Sequence, residues 1–283
     1  MDDKNSKIDN SDAVLPFLKW PGGKRWTSNH ISKIIEKNLH GCYYEPFLGG
    51  GTVFFNLLPK NAYLSDLIYE LINTYKLVKE SSDEIIKKLK LIPVSKEMYY
   101  QIRRSKPESR LDRAIRFLYL NRTGFGGMYR VNSKGEFNVP YGGGQRKPDI
   151  LWKSELLKCA SKNLKNVTLK CVDFEKVIDL AKRGDVVYCD PTYTVAHSNN
   201  GFVKYNEKIF SWEDQERLFE SAVRAYDRGV TVLISNASHE SIFSLYKLFK
   251  PQKLKRMSLM SRKIDARKKV ESKLLLMVFI FDK

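Results

Sequence analysis

Val186-Val187-Tyr188-Cys189-Asp190-Pro191-Thr192-Tyr193 is an apolar run that ends on a carboxylate, a proline and an aromatic ring. The unbroken apolar stretch reads as a strand buried on both faces, the kind that builds parallel sheets. Such a strand delivers Asp190 to its carboxyl edge, where open α/β sheets hold their ligands. Pro191 stiffens the backbone just past the acid, and Tyr193 offers a ring for stacking. A carboxylate beside a flat aromatic face can meet a nucleobase along its edge and on its face at once. The same letters also spell an ordinary Asp-Pro turn.

The segments on either side repeat the pattern of strand, turn and helix. Upstream, Cys42-Tyr43-Tyr44 is a short strand that runs into Glu45-Pro46-Phe47-Leu48-Gly49-Gly50-Gly51 and the helix start at 53–58. Ala62 to Asp66 is a second strand ending on an acid. Glycines let a backbone approach a ligand closely, but Gly49-Gly50-Gly51 is not the GxGxxG of a dinucleotide site, and no GK[ST] follows. Asp66 stands where an acid can accept hydrogen bonds from ribose hydroxyls. A nucleoside without a pyrophosphate therefore fits better than NAD or ATP, against the alternative of a glycine turn with a surface Asp. Downstream, Val167 to Val172 and Val230 to Ile234 are further strands, 174–181 is a helix, and Ser211 with Asp214 is a capping box opening a helix to Tyr226. Helical 240–249 and strands near 254–259 and 274–281 close the pattern. The expected fold is α/β, a discontinuous sheet domain over 14–68 and 160–283. A mostly helical insertion with a hairpin occupies 69–159, and residues 1–13 are expected to be disordered.

Inside the insertion, Arg113 to Leu120 is an amphipathic helix. It leads into NRTGFGGMYRVNSKGEFNVPYGGG (121–144), a loop and hairpin turning at Ser133-Lys134-Gly135. Phe125, Met128, Tyr129, Arg130 and Asn132 mix apolar wedges with a side chain suited to guanine. The alternative is a helical subdomain whose aromatics form a core.

Composition narrows the classes. The 283 residues carry 50 Lys and Arg against 32 Asp and Glu, a formal charge of +18, which favours a polyanionic partner. Cys42, Cys159, Cys171 and Cys189 form no CxxC, and the four histidines form no HExxH. Buried, reduced thiols and no metal are expected. Leu274 to Phe281 is too short to span a bilayer, and the polar start MDDKNSKIDN is no signal peptide. The expected address is the cytoplasm.

The motifs also carry a resemblance. FLKWPGGK (17–24), YYEPFLGGGTVFFNL (43–57), YLSDLIYELIN (63–73), FLYLNRTGFGGMYRVNSKGEFNVPYG (117–142), CVDFEKV (171–177), GDVVYCDPTY (184–193) and DQERL (214–218) follow one another in the order of the DNA adenine-N6 methyltransferase family of the Dam and DpnII-methylase type, which this chain resembles over nearly its whole length. The resemblance implies a Rossmann-like methyltransferase sheet, S-adenosylmethionine as methyl donor and double-stranded DNA as partner. It implies that Trp20 and Lys24 line the cofactor and target pocket and that Phe47 and Gly49 form the cofactor loop. Asp66 would take the ribose, Asp173 and Phe174 the cofactor adenine. Asp190, Pro191 and Tyr193 would grip a flipped adenine beside the cofactor. Lys19 would touch the first guanine of GATC and Arg130 a guanine of the other half-site. Met128 and Pro140 would make apolar contacts there, Phe125 would insert at the target step, and Gly126 stands beside it where the family often has Asn.

The N6 amine of adenine is a poor nucleophile because its lone pair is conjugated with the ring. Acceptors on both hydrogens, Asp190 Oδ and the Pro191 carbonyl, draw the nitrogen toward tetrahedral geometry and free that pair. The family motif is usually Asp-Pro-Pro-Tyr, whereas residue 192 is Thr. Neither acceptor belongs to that residue, so reduced rigidity is the expected consequence. The rival readings are an impaired DNA-binding relative and the same fold acting on another exocyclic amine.

Overall fold

The computed structural model describes residues 14–22, 24, 26–143, 151–193, 210–249, 251–259 and 269–280. The chain runs α1 (Ser28–Asn38), β1 (Tyr43–Glu45), α2 (Thr52–Leu57), β2 (Ala62–Ser65) and α3 (Tyr69–Leu91). It continues through α4 (Lys96–Arg104), α5 (Arg110–Thr123), α6 (Ser154–Asn163), β3 (Val167–Lys170), α7 (Phe174–Ile178) and β4 (Val186–Cys189). Then follow α8 (Trp212–Asp227), β5 (Thr231–Ala237), α9 (Glu240–Leu245), β6 (Gln252–Leu259) and β7 (Lys269–Phe279). The expected disordered segment 1–13 and the loop from 194 to 209 lie outside the described residues.

The seven strands form one mixed sheet in the order β3-β2-β1-β4-β5-β7-β6. The first five are parallel neighbours, with Ser65 opposite Lys170, Tyr44 opposite Val187 and Cys189 opposite Ile234. β7 then runs antiparallel beside β5 and carries β6 on its outer edge. β4 is buried at all four positions, and Val232, Leu233 and Ile234 of β5 are wholly buried. Burial on both faces explains why these strands read as continuous apolar runs. Each such side chain contributes about 1.5–3 kcal/mol on leaving water. β3 instead alternates buried and exposed, as suits an edge strand with one covered face. Cys171, just past it, is exposed, which corrects the expectation of a buried thiol; Cys189 is buried and Cys42 and Cys159 are half-buried.

β2 and β3 lie side by side although the chain between them holds α3, α4, α5 and α6. The mostly helical insertion thus occupies a crossover of the sheet. The segment 94–113, dense in Lys, Arg and Glu, contains a helix: α4 is capped by Ser95, which accepts from the Met98 N–H at 3.1 Å, and buries Tyr99. α5 extends to Thr123, so the first residues of the expected loop are helical. The hairpin consists of two isolated bridges, Gly124 with Tyr141 and Val131 with Phe137, around the turn at 133–135.

The chain divides into two compact units. One comprises Met1–Asn29, Gly50–Leu58 and Leu77–Lys165, the other His30–Gly49, Pro59–Lys76 and Asn166–Lys283. The second unit contains the sheet. Its core gathers Tyr44, Val187, Cys189 and Ile234 with Phe174, Leu218, Tyr246 and Phe279. The capping box at the start of α8 is present: the Asp214 N–H donates to Ser211 Oγ at 3.1 Å, and the Ser211 N–H to Asp214 Oδ2 at 2.9 Å. Among the described residues no helix is long and apolar enough to cross a membrane.

Candidate active site and nucleic-acid interface

The parallel register brings the candidate residues of the second unit to one edge. Asp173 follows β3, Asp66 follows β2, Phe47 follows β1 and Asp190 follows β4, each within a few residues of its strand's carboxyl end. The strand order reverses between β1 and β4, so Phe47 and Asp190 flank the topological switch point. Crevices form there because the adjoining crossovers leave on opposite sides of the sheet.

Asp190 is held by its neighbours in the sheet. Ser235, the residue after Ile234 on β5, donates from Oγ to Asp190 Oδ1 at 2.8 Å. Tyr188 Oη lies 3.0 Å from the same Ser235 Oγ. A serine hydroxyl has one hydrogen, and it goes to the carboxylate; the phenol therefore donates to Ser235. The relay is buried, with Ser235 and Tyr188 at 0% and 1% exposure. Pro191 is buried and Tyr193 half-buried. Burial, with the negative charge of Asp190, drives the Tyr193 phenol well above its ordinary pKa, so this ring remains neutral.

Asp66 clamps the glycine turn. Its Oδ2 accepts from the Gly49 N–H and its Oδ1 from the Ile68 N–H, each at 3.0 Å. The Gly49 carbonyl accepts from Tyr75 Oη at 3.2 Å, and the Leu48 N–H donates to the Ser65 carbonyl at 2.9 Å. Desolvation raises the Asp66 pKa, and the backbone donors at Ile68, Gly49 and Leu67 offset part of that rise. Each carboxylate oxygen keeps acceptor capacity after one backbone bond, so the pair of acceptors suits the two hydroxyl donors of a vicinal diol.

Asp173 caps α7, accepting from the Glu175 N–H at 3.0 Å. The same Oδ1 accepts from Arg217 Nη2 at 2.8 Å. Arg217 also meets Glu175 at 3.2 Å and Asp214 at 2.6 Å, and its guanidinium lies 4.8 Å over the Phe174 ring. Phe174 is 3% exposed and stacks with Phe47 at 5.3 Å between centroids. Its side chain is therefore part of the core.

In the first unit the candidates for DNA contact other than Lys19 share one loop and its hairpin. The Phe125 N–H donates to the Pro140 carbonyl at 2.9 Å, and the Met128 N–H to the Phe125 carbonyl at 3.2 Å. Phe125 is 57% exposed, Gly126, Arg130 and Pro140 are also exposed, and Met128 is half-buried. Arg130 Nε donates to Asn138 Oδ1 at 2.7 Å, which fixes the direction of the guanidinium. Asn132 spends its amide on the turn: Oδ1 accepts from the N–H groups of Lys134 and Glu136, each at 2.9 Å. Gly126 has φ +63 and Gly127 φ +66, a left-handed pair that Asn tolerates better than other side chains.

The N-terminal candidates pack in this same unit. Trp20 stacks on Tyr129 with centroids 6.1 Å apart and 18° between planes. A Cβ on Gly50 would come within 2.8 Å of Trp20 Cβ, so only glycine allows that approach. Lys24 is buried and donates from Nζ to the Gly22 carbonyl at 3.0 Å. Sequence reasoning missed three residues that hold these groups: Ser235, Arg217 and Asn121, whose Oδ1 accepts from the Lys19 N–H at 3.0 Å. Ser235 was findable, since register places the residue after Ile234 opposite Asp190. Among the described residues no cluster of His, Cys, Asp and Glu is arranged to hold a metal.

Comparison with known proteins gives the family. Residues 20–260 match the family model for the D12 class N6 adenine-specific DNA methyltransferase. A type II methyltransferase, M1.LlaDCHI of Lactococcus lactis subsp. cremoris, is 39% identical over 91% of this chain and 93% of its own. The type II methyltransferase M.MjaIII of Methanocaldococcus jannaschii is 35% identical over 93% and 99%. The DNA adenine methylase of Escherichia coli K12 is 36% identical over 78% and 80%. With carboxylates on successive parallel strand ends and matches that run nearly end to end, the chain belongs to the D12 class of N6 adenine-specific DNA methyltransferases.

Proposed function

We propose that this enzyme methylates N6 of an adenine within GATC in duplex DNA, after the base has been turned out of the stack. The observation that carries the reading is the row of Asp173, Asp66, Phe47 and Asp190 at adjacent carboxyl strand ends. S-Adenosylmethionine, when bound, supplies an electrophilic methyl group on a sulfonium. Asp66 would hold its ribose through the oxygens that already brace Gly49 and Ile68, and Asp173 and Phe174 would meet its adenine. Phe47 and Gly49 shape the loop between them, and Trp20 and Lys24 contribute to the cofactor and target pocket. Asp190 Oδ and the Pro191 carbonyl accept the two hydrogens of the target amine, and Tyr193 stacks on the base. Ser235 fixes the carboxylate for that task. Catalysis is then orientation and electrostatics, with no covalent enzyme intermediate. Thr192 supplies neither acceptor, so the wild type is active.

Sequence is read by the segment 69–159 together with Lys19. Lys19 takes the first guanine, Arg130 a guanine of the other half-site, and Met128 and Pro140 adjoining apolar edges. Phe125 fills the step opened by the flipped base, beside Gly126. Asn132 acts through the turn it closes. The protein works on DNA in the cytoplasm. The deciding experiment exposes unmethylated DNA to the purified protein with a radiolabelled methyl donor and maps modified bases by sequencing. N6-methyladenine at GATC, abolished by Asp190→Ala in a folded protein, is the expected result. Label on cytosine, or none, refutes the reading.

A further inference from the structure

Lys19 and the 127–130 segment are more than 100 residues apart in sequence, yet one side chain holds both. Asn121, near the end of α5, is 3% exposed. Its Oδ1 accepts from the Lys19 N–H at 3.0 Å. Its Nδ2 donates to the Lys19 carbonyl at 2.7 Å and to the Gly127 carbonyl at 3.2 Å. The amide thus treats Lys19 as a strand partner would, meeting its donor and its acceptor together, and uses its remaining hydrogen on the recognition loop. Both of its N–H donors and one acceptor site of its oxygen are committed to these two backbones.

The surroundings tighten the same joint. A side chain on Gly127 would collide with Lys19 Cβ, so the loop backbone lies directly against the Lys19 side chain. Arg122, the next residue, donates to the Phe17 carbonyl, and Lys19 Nζ lies 3.4 Å from the Arg122 carbonyl. Trp20 stacks on Tyr129, one residue before Arg130. We propose that Asn121 is a positioning residue that locks Lys19 and the Met128–Arg130 segment into one reading head, so that discrimination at the two guanine positions stands or falls together. This rests on the recognition roles given above to Lys19 and Arg130.

The test measures single-turnover methylation on the wild-type site and on each single-base variant of it, with cofactor affinity by calorimetry. Lys19→Ala should flatten discrimination at one guanine and Arg130→Ala at the other. Asn121→Ala should reduce both, each by tenfold or more, while cofactor affinity stays within twofold. Gly127→Ala attacks the joint from the other side with Asn121 intact, and should reproduce the double loss if Asn121→Ala fails to fold. Tyr119→Phe is the control for mere destabilisation, since it removes a 2.8 Å bond to the Pro93 carbonyl elsewhere on α5. Discrimination preserved at either guanine in both joint variants overturns the proposal, as does an equal loss in Tyr119→Phe. A wild type that prefers guanine at neither position overturns the assigned recognition roles as well, so the two failures are distinct.

Discussion

Ser235→Ala separates two consequences of one buried hydroxyl. The substitution removes the 2.8 Å donor to Asp190 and the 3.0 Å acceptor of Tyr188. A hydrogen bond to a charged group contributes about 1.5–3 kcal/mol. Lost from the transition state alone, that is roughly a 10- to 140-fold fall in methyl transfer at 1.4 kcal/mol per tenfold. The Tyr188 phenol, 1% exposed, loses its acceptor and should cost stability by about 1–3 kcal/mol. At roughly 2–4 °C per kcal/mol, the melting temperature drops by several degrees. The two effects come apart in a cycle. Tyr188→Phe alone should keep a near-normal rate, because the Ser235 hydrogen still goes to Asp190. Adding it to Ser235→Ala should recover stability by removing the stranded phenol, and leave the rate low. Rapid-quench measurements with labelled methyl donor on saturating duplex give the rate, and thermal melts the stability. A folded Ser235→Ala enzyme transferring within twofold of wild type, or a Tyr188→Phe enzyme as slow as Ser235→Ala, would show that the relay does not orient Asp190.

Three further outcomes are expected. Burial raises the Asp66 pKa, so the folded state binds this proton more tightly than the unfolded chain. The stabilisation from the protonated form is complete in acid and is lost as pH rises through the folded value. The ribose needs the ionised form, so cofactor affinity measured by calorimetry should fall as pH drops through that raised value. Asp66→Asn should lower affinity at neutral pH and remove this dependence; an unchanged affinity and slope would contradict the assignment. Arg217→Met leaves Asp173, Glu175 and Asp214 without their shared cation, and should weaken cofactor binding about fivefold, since partly exposed pairs contribute up to about 1 kcal/mol. A lower melting temperature with unaltered affinity would make the cluster purely structural. Arg130→Ala should cost about 1–3 kcal/mol on the cognate site and flatten preference at one guanine, in contrast to a uniform, salt-sensitive loss for a phosphate-binding lysine; equal losses on all duplexes would remove Arg130 from base reading.

The strands and their terminal acids were legible because two-sided burial writes itself as apolar runs, as at Val186–Cys189. What escaped notice depends on distant partners. β5 continues to Ala237 because β7 pairs Asn236 with Leu275 and Ala237 with Leu274, and a strand expected to stop at Ile234 omits Ser235. α4 was hidden by charge; its one buried residue, Tyr99, gains its place from a 2.8 Å bond to the Val139 carbonyl. Asn121 sits in a helix, where a polar residue reads as solvent-facing, while its partner Lys19 is 102 positions away. Arg217 lies in the quoted DQERL segment, but nothing local tells that it reaches Asp173.

The adjacency of β2 and β3 has an evolutionary consequence. Parallel neighbours need a crossover of a dozen or more residues. Here the stretch from 66 to 166 is roughly 100 residues, and loop-closure entropy charges only about 2 kcal/mol for that growth. A lineage can therefore lengthen or replace helical chain at this seam at little entropic cost. The inherited hydrogen-bond register from Ala62–Val167 to Ser65–Lys170 would stay in place. The helical stretch can in this way diverge while the pairing of the sheet is inherited unaltered.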